Sequence, residues 1–146
     1  MDNMPLEMSN SSSDIPSEIL ALLGMTEDTR RNREFFAELL RFADRVGMTD
    51  SQIYNAIGLS RSLWYRMRDH KDARTKKTNV LKLAIVLRLS FWEAFYLVAL
   101  AGYAFMPGLD DTDKTVAACL LNGVYDPDTI DGMLASNNLE TLFSEK

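Results

Sequence analysis

Nine basic residues fall between Arg61 and Arg88: Arg61, Arg66, Arg68, Lys71, Arg74, Lys76, Lys77, Lys82 and Arg88. Only Asp69 and Asp72 oppose them, so this window carries +7, while the seven basic and nineteen acidic residues elsewhere leave −12. On a chain of formal net charge −5, such a block is a local footprint for an anionic partner. The plainer reading of a charge run is a solvated face. Where the block begins, Arg61, Ser62, Tyr65 and Arg66 are spaced to share one exposed face at the start of a helix. A helix N-terminus with arginines suits phosphates, and arginine suits the edges of guanine.

Other chemistry is thinly supplied. The chain has one histidine, His70, and one cysteine, Cys119. A structural zinc set and an intrachain disulfide are therefore excluded, and any histidine-dependent triad would have to use His70. His70 lies in a basic loop and reads as a solvated residue. Cys119, among Ala117, Ala118, Leu120 and Leu121, reads as a small buried hydrophobe. Asp110, Asp111 and Asp113 miss the calcium-loop spacing and read as acids favoured by a helix N-terminus. Phe91, Trp92, Phe95 and Tyr96 follow helical spacing and read as core or dimer-contact aromatics rather than a base-stacking platform. With no glycine-rich phosphate loop and no paired catalytic groups, an enzyme is not expected, and neither is a cofactor.

The elements that would position the basic face follow from local signals. Residues 15–23 read as a short amphipathic helix with Pro16 in its first turn. Residues 28–46 have a helical period with Phe36, Leu39, Leu40, Ala43 and Val46 on one side. Thr49 and Gln52 form a capping box for a helix whose Ile53 and Ile57 face inward, and Gly58 stops it. Ser60 caps the next helix, Arg61 to about Asp69, with Trp64 and Met67 inward and Leu59 in the corner. Two short helices joined by a glycine-containing turn have helix-turn-helix geometry. Asn79 to Leu89 is apolar nearly all round and predicts a central helix. Ser90 and Glu93 form a second capping box, opening a helix to about Ala101; Asp110 to Asn122, and Asp126-Pro127 to about Ser136, complete the set. Leu139, Leu142 and Phe143 are expected to pack back on the body. No stretch alternates with period two, so strands are not expected.

Thr49 to Met67, with the apolar helix after it, resembles the Cro/C1-type (XRE-type) helix-turn-helix family. Ile53, Ile57, Gly58, Leu59, Ser60, Trp64 and Met67, followed by Leu81, Ala84 and Leu87, carry the resemblance, which covers roughly residues 30–101. It implies a five-helix bundle, a recognition helix from Ser60 to Arg68 in the major groove, and a homodimer. It further implies base contacts from Arg61, Ser62 and Arg66. Tyr65, Arg68, Lys71, Lys76 and Lys77 are expected to hold phosphates. Three positions differ from the family's habit. Tyr54 stands where a small residue is usual, Asp50 where a phosphate-binding glutamine is common, and Leu63 where a polar residue is common. The segment from Ala101 to Leu139 is similar to a helical tail that follows such a bundle in some bacterial multidomain proteins.

Length and composition bound the rest. With 146 residues, 47% of them hydrophobic, the chain can close a core without staples. Residues 1–16 are polar, without a basic start or apolar run, so no secretory signal is expected. Lys82, Arg88 and Glu93 interrupt the stretch from Val80 to Ala101 and argue against a membrane span. The expected organisation is a disordered N-terminus (1–14), a Cro/C1-like all-α bundle with an N-terminal helix (15–107), and a helical extension packed on it (108–146). The expected function is sequence-specific binding of double-stranded DNA by a cytoplasmic, homodimeric transcriptional regulator. The alternative is a protein-interaction adaptor that kept the bundle and lost DNA, a reading motivated by Asp50 and the acidic remainder.

Overall fold

The computed structural model describes Pro16, residues 28–69 and residues 75–144, with side chains from Glu34 onward. The expected disordered start, the 15–23 helix and the loop residues His70, Lys71 and Arg74 lie outside the described residues, Pro16 excepted. Among the described residues there are seven helices and no strands: α1 (Asp28–Val46), α2 (Asp50–Ala56), α3 (Arg61–Asp69), α4 (Lys77–Val86), α5 (Phe91–Leu100), α6 (Asp111–Leu121) and α7 (Pro127–Ser136). The chain is all-α. None of these helices is long and apolar enough to cross a membrane.

α1 buries Phe35, Phe36, Leu39, Phe42 and Ala43, while Leu40 and Val46 are only half-buried. Its apolar stripe is thus rotated from the expected one towards Phe42. The Phe42 ring lies under the guanidiniums of Arg41 and Arg45, at 5.5 and 5.1 Å. The same arginine, Arg45, forks onto both carboxylate oxygens of Glu93 in α5, at 2.6 and 2.9 Å. That cross-link holds Glu93 below the usual carboxylate range, the arginine hydrogen bond outweighing partial burial. α1 ends at Gly47, with φ +75°, and Met48 N donates to the Ala43 carbonyl at 3.0 Å. A glycine carries this left-handed turn without a Cβ penalty.

α4 is the central helix, burying Val80, Leu81, Leu83, Ala84 and Ile85. It begins two residues earlier than its sequence signals suggest and stops sooner, with Leu87 as its cap. Arg88 then takes φ +56° in place of a glycine. The left-handed residue costs about 1–2 kcal/mol. It lets Leu89 fold under, with its N–H on the Ala84 carbonyl at 2.9 Å, and puts Ser90 in place to cap α5.

α5 packs against α1, α4 and α6. The tail is part of the same interior: Val116, Ala117, Cys119, Leu120, Ile130, Leu134 and Leu142 join the buried cluster built by α1 to α5. Leu142 is held by a buried acid. Asp131 accepts from the backbone N–H groups of Leu142, Phe143 and Ser144 and from the Ser144 hydroxyl, at 2.8–3.2 Å. Burial alone would push Asp131 up; these donors outweigh it and leave its carboxyl below the ordinary range.

Candidate nucleic-acid interface

The 50–69 pair is assembled by short-range devices. Thr49 Oγ1 accepts from Gln52 N at 3.2 Å, and Gln52 Oε1 accepts from Thr49 N at 2.9 Å. Ile53 and Ile57 are buried, and Gly58, at φ +74°, turns the chain. Ser60 Oγ accepts from Leu63 N at 3.1 Å and opens α3. One device comes from farther away: Lys82 Nζ donates to the Ile57 carbonyl at 2.7 Å. This puts a cation on the C-terminal end of α2, where the helix dipole favours one.

α3 is seated by Trp64 and Met67. Trp64 is fully buried, its ring edge-on to Phe36 at 5.4 Å and tilted on Tyr54 at 6.1 Å. Tyr54 therefore fills space beside the indole, and its bulk is part of the junction between α1, α2 and α3. Tyr54 also meets Tyr65 edge-on at 6.4 Å.

On the opposite side of α3, Arg61, Ser62, Arg66 and Arg68 are exposed, with no acid in the first turn of the helix. Tyr65 is half-buried between two guanidiniums, Arg61 at 5.9 Å and Arg68 at 6.0 Å from its ring centre. These distances are at the edge of cation–π range. They keep both arginines over one rigid plate. The structure thus brings Arg61, Tyr65 and Arg68 together, with Ser62 and Arg66 on the same short helix.

The remaining expected contacts fall differently. Lys76 is exposed at the N-cap of α4, its side chain making no cap bond. Lys77 instead turns inward, its ammonium 2.8 Å from Asp113 Oδ2. Arg68 is ion-paired to Asp50, in the first turn of α2. Neither pair leaves a local trace: the partners are separated by 18 and 36 residues. A window of sequence therefore counts Arg68 and Lys77 as free cations. The other candidates are structural. Asp110 caps α6, and Asp113 also accepts from Met106 N at 2.9 Å. Cys119 is buried, and burial pushes its thiol up, so it stays protonated at neutral pH.

Compared with protein-family models, with curated proteins and with solved structures, the chain matches none of them.

Proposed function

We propose that this chain binds double-stranded DNA sequence-specifically, as a transcriptional regulator working in the cytoplasm, with a Cro/C1-type bundle that offers α3 to the major groove. One observation carries the reading. The helix that is anchored inward by Trp64 and Met67 leaves Arg61, Ser62 and Arg66 exposed on its outer side, and the C-terminal tail does not bury them. In this reading Arg61, Ser62 and Arg66 meet base edges. Tyr65, Lys71 and Lys76 meet phosphates, while Arg68 and Lys77 start from ion pairs with acids of the chain itself. A homodimer belongs to the same reading, because two such helices about 34 Å apart grip one face of a duplex.

Fluorescence anisotropy on a library of duplex fragments at low salt tests it. Binding should weaken with salt, with a log–log slope of about −0.9 for each phosphate contact. Arg66→Ala should cost about 1–3 kcal/mol and relax sequence preference, whereas Lys76→Ala should weaken all sequences alike. Binding no tighter than micromolar, or without a salt slope, would sink the proposal. The second reading is a protein-interaction adaptor on the same bundle. It is favoured by Asp50 and Asp113, which neutralise two of the cations a DNA surface would use.

A further inference from the structure

Among the described residues, Arg68 is the one arginine of α3 with a carboxylate partner. Its guanidinium is met from two sides, by the Tyr65 ring at 6.0 Å and by Asp50. Both side chains stay solvent-accessible, 40% for Arg68 and 23% for Asp50, so this is a rim contact and not a core one. α2 does not need it, since the Thr49–Gln52 capping box already satisfies that helix start. α3 does not need it either, since Trp64 and Met67 seat that helix. What the pair does change is the charge of the face. It occupies the third cation of a helix whose other two arginines, Arg61 and Arg66, have no carboxylate partner among the described residues.

We infer that Asp50 restrains the basic face: it sequesters Arg68 and so limits the affinity of α3 for any duplex, whatever its sequence. The inference rests on the DNA-binding reading above. Phosphate contacts add affinity for every sequence alike. Withholding one therefore leaves the base-directed groups, Arg61 and Arg66, a larger share of the total. Asp50 is a positioning residue in this scheme and acts only through Arg68.

The test uses the full chain and a fluorescein-labelled duplex of random sequence, titrated across a salt series. Asp50→Asn should steepen the log–log salt slope by about 0.9, so that binding falls about 3.5-fold more than in the parent between 50 and 200 mM salt. Glu140→Gln, which removes an equal charge from an exposed site in the tail, should leave the slope as it was. Arg68→Gln alone should also leave it unchanged, and Arg68→Gln added to Asp50→Asn should abolish the gain. Circular dichroism of each variant checks that it is folded. A parent that does not bind, beside an Asp50→Asn variant that does, supports the inference in its strongest form. A parent that binds, with Asp50→Asn behaving like Glu140→Gln or with Arg68→Gln alone flattening the slope, overturns the inference and leaves DNA binding standing. If no variant binds, the DNA-binding reading falls and the inference falls with it.

Discussion

Trp64→Ala is the perturbation from which most can be worked out. The indole has no exposed surface, and it stands at the junction of α1, α2 and α3, against Phe36 and Tyr54. Burying a ring of this size removes about 150–250 Å² from water. At about 25 cal/mol per Å² the loss on truncation is roughly 4–6 kcal/mol. One feature works the other way. Trp64 Nε1 is buried and finds no acceptor among the described residues, and an unsatisfied buried donor costs about 1–3 kcal/mol in the native protein. Alanine removes that cost too, so the net destabilisation is expected at about 1–5 kcal/mol, centred near 3, at or below the low end of what Trp→Ala core changes cost. Chemical denaturation followed by far-UV circular dichroism measures it. In a thermal scan the central value lowers Tm by roughly 6–12 °C for a chain of this size. Trp64→Phe keeps an aromatic ring against Phe36 and removes the orphan N–H, so it should cost less than half as much as alanine. An unchanged Tm for Trp64→Ala, or a phenylalanine variant as unstable as the alanine one, would refute the reasoning. The first result would mean that α3 is not seated by this side chain, and the second that a ring against Phe36 adds nothing there, since both variants remove the orphan donor.

Three further outcomes can be checked. Lys77→Met should strand the Asp113 carboxylate, which is 1% exposed, with Met106 N as its one remaining donor among the described residues; a loss near the lower end of about 3–5 kcal/mol is expected because Lys77 is itself a quarter exposed. Adding Asp113→Asn should recover part of that loss in the same denaturation assay, and no recovery would rule out the ion pair as its source. Asp131 has a folded pKa below its unfolded value of about 3.9, so its contribution is present above that value and disappears as pH falls through the lower, folded pKa. The protection of the Leu142, Phe143 and Ser144 amides, measured against their intrinsic exchange rates at each pH, should therefore fall in acid, and at neutral pH in Asp131→Asn; protection that is indifferent to both would refute the latch. Light scattering at micromolar concentration should give a dimer mass, and a monomer that persists at high concentration would remove the homodimer. The exposed apolar groups available for such an interface include Trp92, Leu109 and Leu121, the last two 82% and 69% exposed.

Most of the helical framework is readable without coordinates, because its signals are short-range. The Thr49–Gln52 and Ser90–Glu93 boxes, the Asp110 and Asp126 caps, and the inward positions of Ile53, Ile57, Trp64 and Met67 each depend on residues within one or two turns. The start and end of α4 are not readable in this way. Its N-cap, Lys76, forms no side-chain cap, and the stretch is anchored from outside, by Tyr103 Oη on the Thr75 carbonyl and Lys77 on Asp113. Its end depends on a left-handed Arg88, whose side chain lies over Tyr125 at 5.2 Å. No local rule places an arginine there.

The same division runs through the candidate interface. Composition and helical period alone determined that a basic block opens in the second of two helices joined by a glycine turn, and that Arg61, Ser62 and Arg66 lie away from Trp64. Tertiary structure decided which cations remain available. Charge is a property of residue type and can be counted along a sequence, but neutralisation depends on distance. The distances that matter here, from Arg68 to Asp50 and from Lys77 to Asp113, are closed by the packing of α2 on α3 and by Asp113 lying at the start of a tail that shares the bundle's core.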